Sequence, residues 1–63
     1  MTQEQKTEAH RSGIEIVDID TPKNHQYALY GSIYEQVCDY VLKNIDRLRI
    51  VYMANNYIVV EDR

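Results

Sequence analysis

The sequence predicts a small α+β domain, and three observations carry that expectation. Tyr30 to Ile45 places apolar residues at helical spacing, Leu48 to Glu61 reads as two β-rich runs joined by Asn55-Asn56, and Ile14 to Ile19 is a β-branched run broken by acids. Helical and strand periods occupy separate blocks rather than alternating, which points to α+β. The chain has 63 residues, enough for one domain at most.

Residues 1–12 have almost no apolar content and no periodicity, so they are expected to form a flexible N-terminal tail. Residues 13–63 are then the folded domain. In the stretch that follows, Ile14 and Ile16 alternate with acids, but the phase switches at Ile16-Val17 before Ile19. One strand with a bulge or kink fits that pattern. Asp20 to Asn24 ends it with turn chemistry, because Pro22 has no N–H to give a ladder and Asp20, Thr21 and Asn24 bond local backbone. Thr21-Pro22 also suits an N-cap and first helical position.

The main helix has two possible starts. One lies just after Asn24 or His25. The other lies at Ser32, where Ser32-x-x-Glu35 matches a capping box and Gly31 precedes it. In the second case Gln26 to Tyr30 forms an extra short strand. At about 100° per residue, Tyr27, Leu29 and Tyr30 continue the apolar sector of the residues after Ser32, which favours the long helix with an irregularity at Gly31. From Ile33 onward, Ile33, Tyr34, Val37, Cys38, Tyr40, Val41, Leu42 and Ile45 share one side. Ser32, Glu35, Gln36, Asp39, Lys43 and Asp46 share the other. The apolar arc spans roughly 200°, far wider than a surface helix requires. Lys43 follows Asp39 by four residues, a favourable pair near a helix end that should come around Asp46.

Leu48–Met53 and Tyr57–Glu61 then form a hairpin, since Asn55-Asn56 tolerates the backbone a tight turn demands. A two-residue turn pairs Ala54 with Tyr57, Met53 with Ile58, Tyr52 with Val59, Val51 with Val60, Ile50 with Glu61 and Arg49 with Asp62. One face carries Val51, Met53, Ile58 and Val60; the other carries Ile50, Tyr52, Tyr57 and Val59. Both are apolar near the turn. A half-exposed antiparallel hairpin normally alternates, so the helix should cover one face and something else the second.

Composition narrows the function classes. Chains this short bury little of their surface and usually need a staple. Cys38 is the only cysteine, which excludes an internal disulfide, and one Cys with two His falls short of a structural zinc site. Self-association remains, and a homodimer is expected. The net charge of −3 gives no general reason to bind phosphate backbones. No apolar run approaches a membrane span and no signal-peptide pattern appears, which fits a cytoplasmic protein and no membrane partner.

Each chemistry-bearing group has a plain structural reading. His10 and His25 lack metal-ligand spacing and read as solvated, so no metal or cofactor is expected. Glu15, Asp18 and Asp20 lack a calcium loop's glycine and closing Glu; they read as edge-strand charges that discourage aggregation. Cys38 sits in the apolar helix sector without a neighbouring base, as an inert small hydrophobe. Glu35, Asp39 and Asp46 read as a solvated helix face. No nucleophile–base pair or phosphate loop is present, so an enzyme is not expected.

Six Tyr and no Phe or Trp mean that some tyrosines must fill the core. Tyr34 is expected to be mostly buried, whereas Tyr30, Tyr40, Tyr52 and Tyr57, with Val59, are the candidate protein interface. The expected function is that of a small regulatory or adaptor protein acting by protein–protein contact. Chains of this size are common among accessory proteins of phages and bacteria. The alternative is a nucleic-acid-binding regulator using Lys43, Arg47 and Arg49, the sequence's one basic cluster, with tyrosines stacking on bases.

Overall fold

Thr2 opens the first helix, α1 (Gln3–Arg11), with a capping box. Its hydroxyl accepts from the Gln5 N–H at 3.2 Å, and the Gln5 side-chain oxygen accepts from the Thr2 N–H at 2.7 Å. Two of the orphan donors at a helix start are thereby satisfied. Ser12 closes the helix, its N–H shared between the Glu8 and Ala9 carbonyls, and Gly13 turns the chain out with φ +79°. Residues 3–11 are therefore helical where an unstructured tail was expected. The helix leaves little trace in the apolar pattern because it is anchored by one small residue, Ala9, and by Gln5.

The structure, a computed structural model, describes residues 1–20 and 25–63. The turn expected at Asp20–Asn24 and the helix cap expected at Thr21-Pro22 fall on or beside residues 21–24 and lie outside the described residues. Strands β1 (Ile14–Asp20) and β2 (His25–Gly31) pair antiparallel in unbroken register, from Ile14 opposite Gly31 to Asp20 opposite His25. The bulge expected at Ile16-Val17 is absent. Ile14 and Ile16 face the core and Val17 the other side, so the phase switch reflects apolar residues on both faces rather than a break in the strand.

β2 replaces the first turns of the long helix favoured by the sequence. Tyr27, Ala28 and Leu29 are buried in succession, Tyr27 and Leu29 on the helix side and the small Ala28 among taller neighbours on the other face. That run mimicked a helical sector because three neighbouring apolar residues fit either period. The second helix, α2, is Tyr34–Lys43. Its N-cap is Ile33, which makes no side-chain cap bond, so the capping box expected at Ser32 and Glu35 does not form. Asn44 caps the other end, its side-chain amide donating to the Tyr40 carbonyl at 2.8 Å. The helix thus stops shortly before Asp46. Gly31 lies where β2 passes under α2, and a Cβ there would sit 2.9 Å from Val37 Cγ2.

Strands β3 (Leu48–Met53) and β4 (Tyr57–Asp62) form the expected hairpin. Met53 faces Ile58 and Tyr52 faces Val59 as the two-residue turn requires, but a bulge at Val51 then shifts the register. Ile50 opposes Val60, Arg49 opposes Glu61 and Leu48 opposes Asp62, in place of the expected Val51–Val60, Ile50–Glu61 and Arg49–Asp62 pairs. One extra residue in β3 moves Ile50 to the face assigned to Val51.

The four strands make one antiparallel sheet in the order β1-β2-β4-β3, and the protein is a small α+β domain. Both helices lie on the same side, α1 over β1 and α2 over β2 and β4. The core between them is Ala9, Ile14, Tyr27, Leu29, Val37, Tyr40, Val41, Leu48, Ile58 and Val60. Tyr34 and Cys38 pack against its margin, Tyr34 only half-buried where deeper burial was expected.

Candidate interaction surface

Strand pairing places three rows of side chains on the face away from the helices. Glu15, Tyr30 and Tyr57 form the first row, Val17, Ala28, Val59 and Tyr52 the second, and Ile19, Gln26, Glu61 and Arg49 the third. No described element covers this face. Val17 is 51% exposed and Tyr52 57% exposed, yet Ala28 and Val59 between them are buried. The taller neighbours shield the two smaller side chains. Tyr30 and Tyr57, opposite one another on β2 and β4, stack with ring centroids 5.0 Å apart, and Tyr52 meets Tyr57 at 6.3 Å. Such ring pairs stabilise the sheet beyond simple area burial.

A polar corner completes the face. Glu61 is buried, and its carboxylate pairs with the Arg49 guanidinium and accepts a 3.4 Å hydrogen bond from the Gln26 amide. The clasp ties β2, β4 and β3 together in register and satisfies a buried charge that would otherwise be costly. Its presence depends on the β3 bulge, which brings Arg49 rather than Ile50 opposite Glu61.

Of the five interface candidates, Tyr30, Tyr52, Tyr57 and Val59 gather on this open face. Tyr40 does not. It is buried between the helices, where its hydroxyl donates to the Gln5 carbonyl at 2.9 Å. Burial pushes that hydroxyl's pKa up, with Glu8 adding to the effect and Arg47 opposing it. Tyr34 is shifted upward too, by loss of solvent and by Cys38 beside it. Val17 and Ile19, absent from the candidates, complete the face; their sequence signal was the second phase of the β1 alternation.

Lys43, Arg47 and Arg49 do not line a common hollow. Lys43 lies in a cleft between the helices with Glu8 and Asp39, Arg47 near the chain start with Asp46 and Asp62, and Arg49 on the sheet with Glu61. On the helix side of β1, Asp18 receives Lys6 at 3.5 Å and His25 at 3.7 Å. Glu35, Asp39 and Asp46 are solvent-exposed. Among the described residues, no three His, Cys, Asp or Glu side chains gather as a metal site would need, and no helix is long and apolar enough to cross a membrane.

No family model, curated protein or solved structure matches the chain.

Proposed function

We propose that this chain is a non-enzymatic regulatory or adaptor protein that works through protein–protein contact, as a homodimer. The observation that carries the reading is the sheet face opposite the helices, where no described element covers the exposed Val17 and Tyr52 or the half-buried Tyr30 and Tyr57. Antiparallel sheets with one wet face usually make that face polar. An apolar, tyrosine-rich face left open by the described elements has the composition of a contact surface, since tyrosine buries a large ring while its hydroxyl stays hydrated or paired. The dispersal of Lys43, Arg47 and Arg49, each among carboxylates, gives phosphate groups no single place to converge, so protein contact is the reading put forward.

The test compares the wild-type chain with Val17→Lys and Tyr30→Lys in affinity capture from the native host, with circular dichroism to verify folding. A protein retained by the wild type and lost by both variants supports the reading. Equal retention by folded variants, or none by the wild type, overturns it. Sedimentation at micromolar concentration should give a dimer, and a stable monomer would remove the self-association half.

A further inference from the structure

The two outer strands of the sheet are built differently. β1 carries exposed carboxylates at Glu15 and Asp18, charges that deter another strand from adding to an edge. β3 has none from Ile50 to Met53. These four apolar residues run consecutively and are 37, 43, 57 and 53% exposed. They project on both sides of the sheet, because the bulge sends Ile50 and Met53 to the helix side and leaves Tyr52 on the open side. Leu42 and Ile45 are also exposed and stand outside the cleft that α2 shares with α1, and α2 itself lies over β2 and β4, next to β3 in the sheet order. An apolar edge strand with unpaired backbone groups is a template for strand addition.

We propose that β3 is the seam at which a second copy of this chain pairs, antiparallel about a two-fold axis. The proposal rests on the protein-contact reading and names the seat of the second copy. Charge fixes the direction. Arg47 and Arg49 stand at one end of β3 and the uncharged Ala54, Asn55 and Asn56 follow the other. Antiparallel pairing sets each arginine end beside the other copy's neutral turn, whereas parallel pairing would align arginine with arginine, which is unfavourable across a ladder.

The bulge fixes the register. Residues opposite one another must project to the same side, and Ile50 and Met53 do so only because Val51 is inserted between their pairs. Ile50 therefore falls opposite the partner's Met53, and Val51 opposite the partner's Tyr52. Leu42, Ile45, Ile50, Val51, Tyr52 and Met53 together expose on the order of 600 Å² per copy, so the pair of copies can bury at most about 1,200 Å², the low end of specific interfaces. Joining at this edge makes one sheet of the two and merges their open tyrosine faces into a single larger contact surface, to which each copy contributes half.

The decisive measurement is sedimentation of the full chain, comparing wild type, Val51→Lys and Val17→Lys, both substitutions being at exposed positions. The wild type and Val17→Lys should be dimeric, and Val51→Lys should raise the dissociation constant by on the order of a hundredfold. A dimeric Val51→Lys overturns the seam. If Val17→Lys alone is monomeric, the copies meet on the open face, and the protein-contact reading stands without this seam. A wild type monomeric at every concentration overturns both the seam and self-association. Val51→Cys in a Cys38→Ser background should cross-link two copies on oxidation, while Val17→Cys should not. Failure of the first to cross-link overturns the seam whatever the lysine variants do.

Discussion

Tyr40 replaces the Phe or Trp that the chain lacks and adds what neither would supply. Its ring fills the space between α1 and α2, and its hydroxyl bonds the Gln5 carbonyl. Tyr40→Phe should keep the ring and lose the bond, costing about 0.5–1.5 kcal/mol in urea unfolding at neutral pH. The pH dependence follows from the raised pKa. The folded state holds the proton more tightly, so the Tyr40 contribution is complete below the ordinary tyrosine value of about 10 and falls as pH rises beyond it. The gap between wild type and Tyr40→Phe should therefore narrow in alkali. Tyr34, shifted the same way, leaves a residual slope in both proteins. Equal slopes with and without Tyr40 would contradict this account. Gly31 is the other residue with a sharply defined role. With only 2.9 Å between a new Cβ and the fully buried Val37, Gly31→Ala should destabilise by about 1–3 kcal/mol, measurable as a drop in the urea midpoint.

At the scale of elements, the same capping motif occurs twice and works once. Thr2-x-x-Gln5 forms both reciprocal bonds, while Ser32-x-x-Glu35 forms neither. The difference lies in what precedes each. Met1, ahead of Thr2, belongs to no strand, whereas Ser32 follows directly on β2, whose pairing with β1 runs to Gly31 and delivers the chain to the α2 N-cap at Ile33. Thr2→Ala should cost about 0.5–2 kcal/mol and speed amide exchange along α1 before it does so in the sheet. Uniform exchange throughout would show that α1 does not open separately. The hairpin, β1 and the body of α2 were legible because each buries a face at its own period. β2 was not, because a strand buried on both faces has no period to read and Tyr27, Leu29 and Tyr30 fit the helix beyond it. The register was legible only as far as Tyr52, since a bulge is chosen by tertiary pairing, here by what Glu61 requires of Arg49. That Tyr30, Tyr52, Tyr57 and Val59 share one face follows from strand pairing. Tyr40 was misplaced because the broad apolar arc of α2 gave no sign that α1 would cover part of it.

For the whole molecule, size is the governing fact. A domain near sixty residues buries only about 60% of the surface its unfolded chain exposes, and it is marginal alone. Here the shortfall is visible: the helices take one side of the sheet, and Val17, Leu42, Val51, Tyr52 and Met53 stay open to solvent. If a second copy covers the β3 edge, folding and association are linked, and stability depends on concentration by mass action. For a dimer of this size each tenfold rise in concentration should lift the melting temperature by roughly 5 °C. Val51→Lys should melt at one temperature, near the dilute limit of the wild type, throughout the range in which its roughly hundredfold weaker dimer stays dissociated. Val17→Lys should keep the dependence. The comparison separates two ways in which a lysine lowers stability. Damage to the monomer lowers the curve without changing its slope in concentration, whereas loss of the seam removes the slope. A wild-type melting temperature independent of concentration would mean that the four-stranded sheet is stable with its edge and its tyrosine face both open, and the apolar surface would then be held for a different protein.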